Sequence, residues 1–560
     1  MKLAPHHPHP IRKVKCDEAK PHCKRCTGTG RNCDGYAPPP EASAAAAAAG
    51  ALTWHRPSPL AALYDDATAF DTSSSTARHR RAGEGRALHF FQEVVAPVLA
   101  GVYHHVGSDT DAYFWTALVL QFSHYEPAVR HAAVAVSALY EQFHQPPATT
   151  TMTTATLTRS PDTAATIRKR SDFALRHYNA AIRSLVEADN EALALVVCVI
   201  FVCIEFIRGD SGAATSHCRH GVQILNKVTA RGAASLPSWA EAYLVPIIRR
   251  LSITPLFFGA TPDSFPAVAG LDGDVPDRFE SLPDMQQMLD KLMCRATRLI
   301  RTGWEYRIGS LIDVEVPREI IEEQAVLVDE LGKWREAVAA SDFSSKSSGR
   351  DTTATIMHLH MQCLIAKIWL SMAVSKDELG FDQFIPEFEE VVDIGTILEA
   401  WMREQLGAHT LWTRPKFTFE MGYLPLLYFV VIKCRRLDIR NRALILIRKM
   451  ALERENLWDI NNLCGAGKRS IELEHDIDLP DLEVDKIKLS ELAHIDPGVA
   501  VPDDKRIRDA MILRQTRVYK DDGGGDFVGQ NICFVLPNAG GGLHLKTEWC
   551  PIHLVDLKDK

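Results

Sequence analysis

The stretch ALALVVCVIFVCI, residues 192–204, is the longest apolar run in the chain and decides its class. Thirteen residues rise about 20 Å as a helix, short of the ~30 Å hydrocarbon layer of a membrane. The run therefore reads as a helix buried in a protein core. Outward from it, apolar residues recur at steps of three and four: Leu88, Phe91, Val95 and Val98; Phe114, Leu118 and Phe122; Val129, Ala132, Ala133, Val136 and Leu139; Phe173, His177, Ala181 and Leu185. This period predicts amphipathic helices. Similar patterning covers 212–225, 283–306, 318–340, 355–375, 386–406, 420–435 and 439–455. Period-two alternation is almost wanting before residue 527, and no repeat of solenoid spacing occurs. A mainly α fold is expected, with a large all-helical domain over 86–520. Two polar stretches, PPATTTMTTATLTRSPDTAAT (146–166) and SDFSSKSSGRDTTAT (341–355), read as disordered inserts in it.

The composition, 46% hydrophobic and 24% charged, is that of a soluble globular protein. The first residues, MKLAPHHPHPIRK, lack the apolar core of a secretory signal, and no membrane partner is expected. The net charge of −8 is unevenly spread. Residues 1–36 hold eight Lys or Arg against three acids, or +5, which leaves −13 for residues 37–560. A basic head on an acidic body meets a polyanion through the head. Cysteines divide likewise: four of the 13, Cys16, Cys23, Cys26 and Cys33, lie in the head, while the other nine are scattered and read as mostly buried, reduced thiols. Residues 37–85, beginning APPPEASAAAAAAGA, form a linker without leucine heptads, so no coiled coil is supported there. Residues 521–560 form a Gly-rich tail. Its two GGG runs flank Ile532–Leu536, which leaves open a small hairpin or a segment ordered on contact.

The pattern C-x6-C-x2-C-x6-C at Cys16, Cys23, Cys26 and Cys33 supplies closely spaced thiolates suited to tetrahedral zinc. Arg12, Lys13, Lys15, Lys24 and Arg25 crowd them, a field that depresses thiol pKa and favours metallation. With these residues in view, PIRKVKCDEAKPHCKRCTGTGRNCDGY resembles the C-terminal four-fifths of the fungal binuclear zinc cluster, the Zn2Cys6 domain. Arg12, Lys13, Lys15, Cys16, Asp17, Pro21, Cys23, Cys26, Cys33 and Tyr36 fall in its register. The resemblance implies zinc on the four cysteines and a short basic helix in the major groove of double-stranded DNA, reading a CGG half-site. Arg12 and Lys13 map to the base-reading region and Lys15 to a phosphate contact; guanine O6 and N7 offer the acceptor pair that Arg or Lys satisfies.

Where the family has its first two cysteines this sequence has His6 and His9, and Pro10 replaces the following arginine. In the family the first cysteine bridges both metals, and a neutral imidazole, with one lone pair, cannot. The expectation is that the written start is truncated or wrongly assigned, a degenerate head and a His-substituted site being the alternatives. As written, the head should hold one zinc or none stably.

The helical region is similar to the regulatory domain that follows such heads in fungi, through LHFFQEVVAPVLAG (88–101), 114–141, 173–187, 192–210 and 442–459. Together these resemblances imply a nuclear transcription regulator of RNA polymerase II genes. A homodimer and a small-molecule effector or co-regulator stay open as partners. The competing reading is a regulatory interaction protein with a non-functional head. Enzyme chemistry is not expected. GAGKRS (465–470) lacks the full phosphate-loop pattern, and Arg469 stands where the Mg-binding hydroxyl belongs. His358 and His360 diverge on a helix, and the pairs Glu322–Glu323 and Glu389–Glu390 read as solvated faces. Phe114, Trp115, Trp304, Trp369, Trp401, Trp412 and Trp458 read as core packing rather than a ligand box.

Overall fold

The computed structural model describes residues 75–101, 109–144, 161–188, 190–232, 236–343, 352–406, 415–479, 500–520, 526–538 and 542–551. The chain divides into two units, Met1–Ser58 and Pro59–Lys560, and all described residues belong to the second.

The apolar run lies in helix α4, once its neighbours are numbered: α1 Ser75–Phe90, α2 Pro127–His144, α3 Pro161–Val186 and α4 Glu191–Arg208. Fifteen residues of α4 are buried, so it is apolar all round because other elements cover every side. Its ends are set locally. Asn190 Oδ1 accepts from Leu193 N at 3.1 Å at the start, and Gly209, at φ +71°, stops the helix in the left-handed region that glycine enters without a Cβ clash. Arg454 Nη1 then donates to the Ile207 carbonyl at 3.0 Å, satisfying one of the terminal acceptors. Helices α1 to α4, with α5 Ser211–Thr229 and α6 Val245–Phe257, enclose the first core, in which Phe91, Trp115, Tyr140 and Phe206 are buried.

A second core forms where α7 Leu282–Arg307 and α8 Arg318–Ala339 pack on α9 Thr352–Ser371, around Leu289, Leu331 and Trp334. The third joins α9 to α10 Ile385–Leu406, α11 Leu424–Lys433, α12 Leu437–Met450 and α13 Ile460–His475. Two very short strands, β1 Phe417–Thr418 and β2 Arg454–Glu455, pair in parallel, and β2 pairs antiparallel with β3 Trp458–Asp459.

The fold is mainly α, and the helices over 282–450 lie within a few residues of the periodic segments. Four places differ from the expectation, the first two being helix α1, which begins at Ser75 inside the stretch read as linker, and helix α9, which begins at Thr352 inside the second stretch read as an insert. Helix α3 begins at Pro161, inside the stretch read as a disordered insert; proline is tolerated at a first helical position because its missing N–H would be unsatisfied there anyway. A strand, β4 Asp509–Lys520, occupies the end of the region expected to be helical. The Gly-rich tail forms the hairpin that the sequence left open, β5 Asp526–Pro537 and β6 Leu543–Pro551, in an antiparallel meander ordered β4-β5-β6. Ile532 and Phe534 of β5 enter the third core, which is why this sheet is held against helices. No described helix is long and apolar enough to cross a membrane.

Candidate functional site

Arg12, Lys13, Lys15, Cys16, Cys23, Cys26 and Cys33, with residues 37–74 of the linker, lie outside the described residues. Among the described residues no cluster of three or more His, Cys, Asp or Glu could hold a metal ion. Eight of the scattered cysteines, Cys198, Cys203, Cys218, Cys294, Cys363, Cys434, Cys464 and Cys533, are free and buried, as expected. GAGKRS is helix interior in α13. Ser470 Oγ donates to the Ala466 carbonyl at 2.8 Å, and Arg469 pairs with Glu548 at 2.5 Å, so the segment cannot cradle a phosphate. His358 is buried against Tyr423, with burial pushing its pKa down to about 4, while His360 Nε2 faces Glu390 at 3.2 Å. Glu322, Glu323 and Glu390 pair with Arg318, Arg295 and Arg335, as solvated helix faces do.

The site that the body does form is a cavity of about 730 Å³ where the three cores meet. Its wall is drawn from the end of α4, the end of α6, α7, α9, α11, the start of α13, β4 and Gln530 of β5. Seven aromatic residues line it: Phe257, Phe258, Trp304, Trp369, Tyr428, Phe429 and Trp458. They contact each other in a chain, Phe258–Trp458 at 4.7 Å, Phe257–Trp458 at 5.9 Å, Phe257–Trp369 at 5.8 Å and Trp369–Phe429 at 5.1 Å between ring centroids. Phe114 and Trp115 are buried in the first core and Trp369, Trp401 and Trp458 pack against the third, as expected; Trp304, Trp369 and Trp458 line the cavity as well. Trp412 lies outside the described residues.

Cations are prominent on this wall. Arg301 stacks over the Trp304 ring at 4.4 Å, and its Nε donates to the Ala260 carbonyl at 3.3 Å. Arg307 and Lys433 belong to a buried network below: Glu378 accepts from Arg307 at 2.5 Å, Lys433 at 3.0 Å and Arg435 at 3.0 Å. Arg435 also meets Glu474 at 3.0 Å, and Glu474 meets Arg440 at 2.6 Å. Burial alone would raise Glu378; Lys433, Arg307 and Arg435 outweigh it and hold the carboxyl at about 2. Burial likewise pushes Lys433 down to about 8, against the pull of Glu378. The network clasps β4: Arg307 and Lys433 donate to the Arg508 carbonyl at 2.9 and 2.8 Å, and Glu474 accepts from Ile507 N at 2.7 Å. Sequence reading missed this site because its wall is assembled from residues between 208 and 530.

Two family models match the chain. The fungal Zn(2)-Cys(6) binuclear cluster domain matches residues 11–43, and the fungal specific transcription factor domain matches residues 86–246. Among curated proteins, the chain is similar to the aspercryptin biosynthesis cluster-specific transcription regulator atnN of Emericella nidulans, 29% identical over 242 residues. That match spans 40% of this chain and 34% of the relative, about a third of the relative's length. It is also similar to the transcription regulator lscL of Purpureocillium lilacinum, 24% identical over 435 residues, 70% of this chain and 93% of the relative. No solved structure matches. A zinc-cluster match on the basic head, a regulatory-domain match on the helical body and regulators among the relatives agree, and point to a fungal Zn2Cys6-type transcription regulator rather than an enzyme.

Proposed function

We infer that this regulator acts in the nucleus on RNA polymerase II genes and reads CGG-type half-sites through a short basic helix in its head. Ten residues in the register of the zinc cluster, from Arg12 to Tyr36, carry this reading. Cys16, Cys23, Cys26 and Cys33 hold zinc. Arg12 and Lys13 face base edges, where the guanine acceptor pair suits their donors, and Lys15 faces phosphate. The body over 86–520, tethered by the linker 37–85, regulates the head, with a homodimer or a bound effector as the means.

His6 and His9, where the family has cysteines, favour a second reading in which the head is non-functional and the body acts through partners alone. Zinc content of the purified full chain separates them, measured beside the double variant His6→Cys, His9→Cys. The inference expects one zinc in the native chain and two in the restored one, and none in the native chain with two in the restored one favours the second reading. Two in the native chain would make the histidines ligands. None in either would remove zinc-dependent DNA reading altogether.

A further inference from the structure

We propose that the cavity between the three cores is a binding site for an aromatic carboxylate, a small planar apolar molecule with one anionic end. The proposal rests on the regulator reading only for its consequence, since binding itself needs no DNA.

Three observations point to this chemistry. The volume, about 730 Å³, falls in the range of roughly 300–1,000 Å³ typical of small-molecule sites. The wall offers a run of ring faces and edges, Trp458, Phe257, Trp369 and Phe429, to which a planar ring system adds by offset or edge contact. The charge is unbalanced in the direction of an anion. In the buried network four cations, Arg307, Lys433, Arg435 and Arg440, make direct contact with two carboxylates, Glu378 and Glu474. The wall itself carries two acids, Asp459, 3.8 Å from Arg454, and Asp509, whose Oδ2 already accepts from Trp304 Nε1 at 2.9 Å.

Two residues of the wall also carry polar atoms that the protein leaves unmet. Arg307 is 6% exposed and its Nε has no hydrogen-bond partner; Gln530 is 7% exposed and its Oε1 has none. Both residues line the cavity. A buried polar atom without a partner costs about 1–3 kcal/mol, so this part of the wall is polar without being fully satisfied by the protein itself. Arg301, half-buried on the same wall, makes no ion pair among the described residues and keeps its guanidinium over the Trp304 ring. It is the cation best placed to meet a carboxylate without first breaking a network.

Because the wall is drawn from all three cores and from β4, a bound molecule would tie elements otherwise joined through Glu378 and Glu474. Binding there biases the body as a whole.

The test uses the full chain and the fluorescent probe pyrenebutyrate, with pyrenebutanol as its neutral counterpart. Trp304, Trp369 and Trp458 on the wall are the energy-transfer donors. Saturable binding of pyrenebutyrate at one site per chain, with transfer from tryptophan, is expected, and about tenfold weaker binding of pyrenebutanol. Arg301→Gln should lower pyrenebutyrate affinity about tenfold and leave pyrenebutanol unchanged, while Arg301→Lys restores part of the loss. Met511→Trp, on the cavity face of β4, should block both probes. Absence of saturable binding, equal affinity for the acid and the alcohol, or binding indifferent to Arg301→Gln would each overturn the proposal. These results leave DNA binding untouched. A chain that binds the probe but no DNA would instead refute the regulator reading alone.

Discussion

At the scale of residues, two buried ionic groups hold the body, and they respond oppositely to pH. Around Arg250 three carboxylates converge: Asp111, Asp290 at 3.1 Å and Glu420 at 3.2 Å. Burial raises Asp290 to about 6 and Glu420 to about 7, against the pull of Arg250. The folded chain therefore binds protons more tightly than the unfolded chain between about pH 4 and about pH 7, and this contribution to stability is lost as pH rises through about 7. Glu420→Gln removes that titration while keeping the shape, so its thermal midpoint should fall less than the parent's between about pH 5 and about pH 8. An unchanged pH profile would contradict the assignment. Glu378 behaves inversely: held at about 2, it stabilises above the ordinary carboxyl range and loses that contribution as pH falls. Glu378→Gln strands Lys433, Arg307 and Arg435 with one partner fewer and should cost about 3–5 kcal/mol in urea unfolding at neutral pH. In the head, Lys15→Gln should weaken binding to all duplexes alike and reduce the salt slope by about one, whereas Arg12→Gln should relax preference for CGG, at a cost of about 1–3 kcal/mol. Competition binding with CGG and scrambled duplexes distinguishes the two.

At the scale of elements, the helices were legible where one face alternates with solvent at a period of 3.6, as in α7 and α8, or where apolar residues crowd every face, as in α4. The start of α3 was not legible, because threonine and serine before Pro161 carry no apolar stripe. Strand β4 was hidden, and the hairpin of β5 and β6 left undecided, for a different reason. Glycine runs weaken any strand signal, and what fixes the meander is long-range: Phe534 in the third core and the clasp on Ile507 and Arg508. The cavity was the least legible part, since tryptophans that read as core from their spacing line a space made by distant segments. Two glycines test the element packing. Gly209 ends α4 at φ +71°, so Gly209→Ala should lower stability by about 1–2 kcal/mol, read in the denaturation midpoint. Gly303 lets α7 approach the turn after α9: a Cβ there would lie 2.4 Å from the Ala373 carbonyl oxygen. Gly303→Ala should therefore cost about 1–3 kcal/mol by overpacking. Midpoints equal to the parent's would mean that these contacts are looser than described.

At the scale of the whole molecule, charge and chemistry are segregated along the chain. The first 36 residues carry +5 and the remaining 524 carry −13, so the body repels the polyanion that the head attracts. On the proposed reading, affinity for DNA rests on the head and its zinc, and the cavity of the body is the site for control. The measurement that tests this most directly is binding of the full chain to a CGG-containing duplex and to a scrambled one, across a salt series, with zinc present and after chelation. The account predicts tighter binding to the CGG duplex, a steep fall in affinity with salt, and loss of the preference when zinc is withdrawn. Equal affinity for the two duplexes, or a CGG preference that survives chelation, would contradict it.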